Sequence, residues 1–61
     1  MQVRQDFIIE IEEEALGLVV AGDEDVVFHA VHPGVQRLHG RHYPDALSAR
    51  LEAIKAFRAA A

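Results

Sequence analysis

The chain is 61 residues long, has no cysteine and carries a net charge of −4 at pH 7. A chain of this size forms one domain at most and removes only about 60% of its unfolded surface from water, so its core alone gives marginal stability. Without cysteine, disulfides and thiolate zinc sites are excluded, and oligomerisation or a histidine-bound metal remain as means of stabilisation. We therefore predict a single small domain over 1–61.

The charges are divided unevenly along the chain. Residues 1–30 hold eight acidic side chains against one arginine, whereas residues 31–61 hold five basic side chains against two acidic ones. So few cations beside so many acids make a poor nucleic-acid surface, and we do not expect nucleic-acid binding. Attraction between the two halves, within or between subunits, is the favoured interpretation.

The distribution of apolar residues argues against insertion into a membrane. The first residues lack the basic-then-apolar layout of a signal peptide, and the longest apolar run, 15–22, is far shorter than the roughly 18 residues that span a bilayer. We expect a cytoplasmic protein that does not enter the membrane.

Apolar residues alternate along 7–20, but their phase changes midway, which predicts a hairpin rather than one straight strand. The predicted strands cover about 6–12 and 15–21, with the turn around Glu13 and Glu14. Neither glutamate favours the positive φ that tight hairpin turns use. The residues placed on one inner face are Phe7, Ile9, Ile11, Leu16, Leu18 and Val20.

The β-branched and aromatic segment 26–31 follows good turn residues and predicts a third antiparallel strand. We place Phe28 inward because it is the larger apolar side chain, although a shift of one residue would reverse the faces. His29 then lies on the second face and is expected to be partly or fully buried. The apolar residues assigned to that second face are Ile8, Val19, Val27 and Val31.

Residues 32–43 read as a loop, in which Val35 and Leu38 can cap the core, and a helix is predicted over about 45–60. Proline and aspartate at its start are typical of a first helical turn. Leu47, Leu51 and Ile54 follow helical spacing and predict the core-facing stripe. On this interpretation Leu51→Ala costs about 2–5 kcal/mol. The opposite side carries small residues suited to a partner helix, namely Ala46, Ala49, Ala53, Ala56 and Ala60.

The predicted fold class is α+β, a three-stranded antiparallel meander followed by one helix packed on one sheet face. This β-β-β-α order is similar to that of small antitoxin domains of the HicB type. The resemblance covers the order of elements alone, so it implies no site residue and no activity.

The four histidines fall within fourteen residues as two HxxH segments, His29 with His32 and His39 with His42. Imidazole binds metals and titrates near neutral pH. In a strand, however, an offset of three residues points side chains to opposite faces, and structural zinc sites mostly use cysteine. We therefore treat the four as weak candidates for a zinc or nickel site or a pH sensor, with His39 and His42 exposed.

Catalysis has little support, because cysteine and threonine are absent and the one serine, Ser48, lies in the predicted helix without a nucleophile elbow. We expect a non-catalytic binding or regulatory module without a cofactor. The alternatives are the metal-binding protein and an accessory or antitoxin-like subunit of a larger protein. Two apolar sheet faces predict a homodimer, with interface candidates Ile8, Val19, Val27, Val31, Ala49, Ala53 and Ala56.

Overall fold

The computed structural model describes residues 6–60; residues 1–5 and 61 of the predicted domain lie outside this part. Its elements in chain order are the strands β1 (Asp6–Ile11), β2 (Glu14–Ala21) and β3 (Val26–Ala30), a 3-10 segment (Pro33–Leu38), the strand β4 (His42–Tyr43) and the helix α1 (Ala46–Ala60). The four strands form one antiparallel sheet in the order β1-β2-β3-β4, and α1 packs on it. The α+β class and the meander followed by a helix are confirmed.

The fourth strand lies within the predicted loop 32–43. The Phe28 amide donates to the Arg41 carbonyl at 2.9 Å, and the Phe28 carbonyl accepts from the Gly40 amide at 2.8 Å. The chain returning from the 3-10 segment therefore satisfies the outer edge of β3, which would otherwise expose unpaired backbone groups. Val35 and Leu38, from the 3-10 segment, are buried in the core as predicted.

The first hairpin turns one residue earlier than predicted. Ile11 pairs with Glu14, so Glu12 and Glu13 are the two turn residues, with φ of 51° and 67°. Positive φ at both positions matches the twist of a two-residue hairpin, although glutamate adopts it at some cost. The turn predicted around Glu13 and Glu14 is therefore displaced by one residue.

A bulge in β2 decides which residues face the core. Glu10 pairs with Ala15 but Ile9 pairs with Gly17, so Leu16 is an extra residue and the alternation shifts after it. Leu16 and Val19 are both fully buried as a result. Leu18 and Val20, which we predicted on the inner face, lie on the opposite face, and Val19, an interface candidate, lies in the core.

Phe28 lies at the centre of the core, as predicted, and is fully buried. It occupies the same row of paired residues as Phe7 and Val19. Gly17 leaves the space for its ring, because a Cβ at Gly17 would lie 2.4 Å from Phe28 Cζ. The ring and the glycine therefore depend on each other.

The helix packs mainly by its alanine side and not by the predicted leucines, although Ile54 of the predicted stripe is partly buried against the core. Ala49, Ala53 and Ala56 are buried, whereas Leu47 and Leu51 are 61% and 59% exposed. Phenylalanine, leucine and valine from the sheet already fill the space beneath α1, and only small helix side chains fit against them. The predicted leucine stripe and the cost assigned to Leu51→Ala are wrong, and the three alanines are not available to a partner.

Asp45 caps α1, and Asp45→Ala is expected to lower the melting temperature. Asp45 Oδ1 accepts a 2.8 Å hydrogen bond from the Ser48 amide, which otherwise has no partner in the first turn. Asp45→Asn keeps an acceptor and is the control, with a melting temperature between those of Asp45→Ala and the native chain at pH 7. Equal melting temperatures for Asp45→Ala and the native chain would contradict the cap.

The same cap has a pH signature. Hydrogen bonds from the Ser48 backbone amide, and then from its side chain, lower the pKa of the Asp45 carboxyl from its ordinary value of 3.8. Because the folded state favours the ionised form, this stabilisation is present above pH 4 or so and is lost as the pH falls through the lowered pKa. Thermal melts between pH 3 and 7 should show this contribution in the native chain and not in Asp45→Asn.

Candidate binding face and histidine positions

The side of the sheet opposite α1 carries a strip of apolar side chains, which we call the open face. Ile8 on β1 and Val31 just after β3 are each 66% exposed, and the three residues between them are partly exposed. Strand register places Ile8, Leu18, Val20 and Val27 on this face, and the exposed Val31 follows just beyond the end of β3. Apolar side chains grouped in this way are typical of an interaction surface.

Sequence reasoning placed Ile8 and Val27 on this face correctly but missed Leu18 and Val20. The bulge at Leu16 transfers the even-numbered residues of β2 from the core to the open face. Gly17, directly after the bulge, is the local signal, because a glycine inside a strand often marks a bulge, and alternation alone predicted the wrong side.

The open face is acidic at one edge and carries imidazoles at the other. One row of paired residues crosses all four strands, from Asp6 through Val20 and Val27 to His42. The next row runs from Ile8 through Leu18 to His29. Polar groups thus border an apolar centre, as they do in protein interfaces.

His29 is exposed on the open face, so the prediction that it is partly or fully buried is wrong. β3 is covered by α1 only on the side of Phe28, which leaves the His29 side open. The His29 ring meets His39 edge to face, with centroids 5.5 Å apart. His39 Nδ1 accepts a 3.0 Å hydrogen bond from the Ala30 amide, which places the proton of the neutral ring on Nε2. His39 is exposed, as predicted.

His32 holds three parts of the chain together. Its Nδ1 accepts a 2.9 Å hydrogen bond from the Gly34 amide at the start of the 3-10 segment. Nε2 then carries the proton and donates to Glu14 Oε2 at 3.1 Å, on the first residue of β2. The ring also packs edge to face on Phe57 of α1, with centroids 5.0 Å apart. Both nitrogens are used, so His32 has a structural role.

His42 lies on β4 at the edge of the open face and is exposed, as predicted. Its Nδ1 lies 3.0 Å from Asp25 Oδ2, in the turn between β2 and β3. Because this contact uses Nδ1, Nε2 is the ring nitrogen left to meet another group. His42 is therefore oriented by Asp25 and retains one nitrogen for a partner.

The histidines do not form a common centre. His29 and His39 lie together, whereas His32 and His42 have separate carboxylate partners. Within residues 6–60, no three histidine, aspartate or glutamate side chains are placed to hold one metal ion. Zinc uses three or four protein ligands, so two neighbouring imidazoles do not make the site that the HxxH spacing suggested.

A cleft lies between the 3-10 segment and the end of α1. It has a volume of about 250 Å³ and is lined by His32, Gly34, Phe57 and Ala60. Since both nitrogens of His32 already have partners, the cleft offers aromatic and aliphatic surface rather than a reactive group. Tyr43, also in the core, buries its hydroxyl without a hydrogen-bond partner among residues 6–60.

No family model, curated protein or solved structure matches this chain. In the part of the chain that the structure describes, no helix has the length and apolar character needed to cross a membrane. The physical basis for a functional hypothesis is therefore the site itself, above all the open face.

Proposed function

We propose that the chain is a non-catalytic binding or regulatory module that acts as a homodimer, with the open face as its subunit interface. The observation that carries the proposal is the exposure of Ile8 and Val31 beside Leu18, Val20 and Val27, on a sheet whose other side is covered by α1. Removing this strip from water stabilises an association by about 25 cal/mol per Å² of apolar surface. A 61-residue chain buries too little apolar surface within itself for more than marginal stability, so an interface that covers this strip would add to it.

The dimer is testable by sedimentation equilibrium with Ile8→Lys. The native chain is expected to dimerise between micromolar and millimolar concentration. Ile8→Lys is expected to raise the Kd at least tenfold, because the interface would bury a charged ammonium group in place of an apolar side chain. The new lysine lies on β1 with Asp6 and Glu10, so the monomer keeps its fold, which circular dichroism checks.

The matched control is Leu51→Lys on the outer side of α1. Leu51 is 59% exposed against 66% for Ile8, so the two changes are alike in chemistry and exposure. Leu51→Lys should leave the Kd within about twofold of the native value. A native chain at monomer mass throughout the range would refute the dimer. Dissociation by Leu51→Lys alone would move the interface to the helix.

The exposed leucine pair on α1 favours a second candidate function, an accessory or antitoxin-like subunit that binds a larger protein. Leu47 and Leu51 are one helical turn apart and both exposed, a spacing that helices present to a protein groove. This surface lies on the other side of the sheet from the open face, so dimerisation leaves it accessible. A cytoplasmic location is part of the proposed function.

A histidine-based zinc or nickel site is the remaining alternative. Its support is His29 beside His39, which supply two imidazoles and need ligands from a second copy or a partner. Stability that rises with added zinc and falls with chelator would favour it. Stability that rises with protein concentration and ignores chelator would favour the dimer alone.

A further inference from the structure

We infer that the second copy lies on the open face with the two-fold axis parallel to the strands, so that Asp6 of each copy meets the partner's His42. The inference rests on the proposed dimer and adds its geometry. It starts from the row that crosses the whole sheet, with a carboxylate on β1, valines on β2 and β3, and an imidazole on β4. This row is acidic at one end and basic at the other when the imidazole is protonated.

Two sheets packed face to face about a two-fold axis have two simple arrangements. An axis along the strands sets β1 over the partner's β4 and β2 over the partner's β3. An axis across the strands sets β1 over the partner's β1. Both keep the strand axes of the two sheets parallel, as in aligned sandwich packing. Only the second brings identical edges together.

Charge complementarity selects the axis along the strands. In that arrangement Asp6 lies opposite the partner's His42, and Val20 lies opposite the partner's Val27. The crosswise arrangement instead sets the acidic edge, Asp6 and Glu10, against the partner's acidic edge. Like charges brought together in an interface are strongly unfavourable, whereas opposite charges orient it.

The hydrogen bonding of His42 couples this contact to pH. Its Nδ1 lies against Asp25, so Nε2 is the atom that reaches the partner's Asp6. The ring can donate one hydrogen bond from Nδ1 to Asp25 and a second from Nε2 to the partner's Asp6 only when both nitrogens carry protons. The other titratable and charged groups near this edge are His29, His39 and the exposed Arg41. Arg41 gives this edge a positive charge that does not depend on pH in this range.

Cysteine cross-linking tests the arrangement directly, because the native chain has no cysteine to interfere. Asp6→Cys and His42→Cys are made separately and treated with a short bifunctional maleimide, alone and mixed. The mixture is expected to give a covalent dimer containing one chain of each variant, identified by mass. Each variant alone should give at least tenfold less. Asp6→Cys and His42→Cys are both changes at exposed positions, and circular dichroism checks their fold.

The outcomes separate this inference from the dimer itself. Efficient cross-linking of Asp6→Cys with itself would indicate the crosswise arrangement or an edge-to-edge pair and would overturn the inference. A dimer by sedimentation that gives no mixed cross-link would overturn it as well and leave the proposed function standing. A monomer by sedimentation in the native chain would refute the proposed function first.

A pH titration of the native dimer gives an independent readout. The proposed arrangement predicts a Kd about threefold to tenfold lower at pH 6 than at pH 8, which is the range expected for two partly exposed charge pairs. His42→Asn should lose most of this change. A dimer that weakens at pH 6 would show imidazole facing imidazole and contradict the inference.

Discussion

Phe28→Ala is expected to remove a large part of the free energy of unfolding of the chain at 25 °C. The Phe28 ring is fully buried and fills the space over Gly17, so its removal opens a cavity that neighbouring strands cannot close. Truncations of this kind cost about 3–5 kcal/mol. A domain of this length has a total stability of about 3–9 kcal/mol, at 0.05–0.15 kcal/mol per residue. Urea denaturation followed by far-ultraviolet circular dichroism measures the loss.

Phe7→Ala is the matched control for Phe28→Ala. Phe7 lies in the same row of the sheet and on the same side, but on the edge strand, where it is 49% exposed. The same truncation there leaves no closed cavity and should cost about 1 kcal/mol or less. If both variants lost equal stability, or if Phe28→Ala melted within a few degrees of the native chain, the core described above would be wrong.

Ala53→Leu is expected to destabilise the chain by about 1–3 kcal/mol, because the larger side chain must enter a filled space between α1 and the sheet. Ala53 is fully buried, and it lies on the helix face that contacts the core. Intrinsic helix propensity hardly distinguishes alanine from leucine, so the effect would come from packing. Thermal and urea denaturation of the variant give the free energy of unfolding.

Leu51→Ala provides the opposite test on the other side of the same helix. An exposed side chain removed from the helix surface should change stability by about 0.5 kcal/mol or less. The leucine stripe expected from spacing alone would instead give a loss of about 2–5 kcal/mol. A large loss at Leu51 together with a tolerated Ala53→Leu would show that α1 packs by its leucines.

The order of elements follows from local sequence patterns. Period-two alternation, turn residues before Val26 and the proline and aspartate before α1 act over a few residues each, and the structure confirms the strands and helix that they predict. Phe28 faces the core because the largest apolar side chain of a strand gains most from burial. These features need no knowledge of distant contacts.

Tertiary structure decided which side of β2 and which side of α1 faces the core. A one-residue bulge at Leu16 reverses every later side chain of β2, and the alternation of apolar residues does not show it, although the adjacent Gly17 is a bulge signal. On α1, both the leucine and the alanine stripes have helical spacing. The choice between them depends on how much space the sheet leaves, since Phe28, Leu16 and Val19 already fill it.

The histidines show the same division. His29, His32 and His39 lie around the end of β3 and the following segment, whereas His42 lies beside Val27, near the start of β3. Their roles depend on backbone amides and carboxylates brought there by folding, from Gly34 and Glu14 for His32 and from Asp25 for His42. The sequence by itself therefore determined that all four imidazoles lie within one short segment of the chain. Only the folded sheet decided which nitrogens remain for a partner, because hydrogen bonds join residues that are distant in sequence.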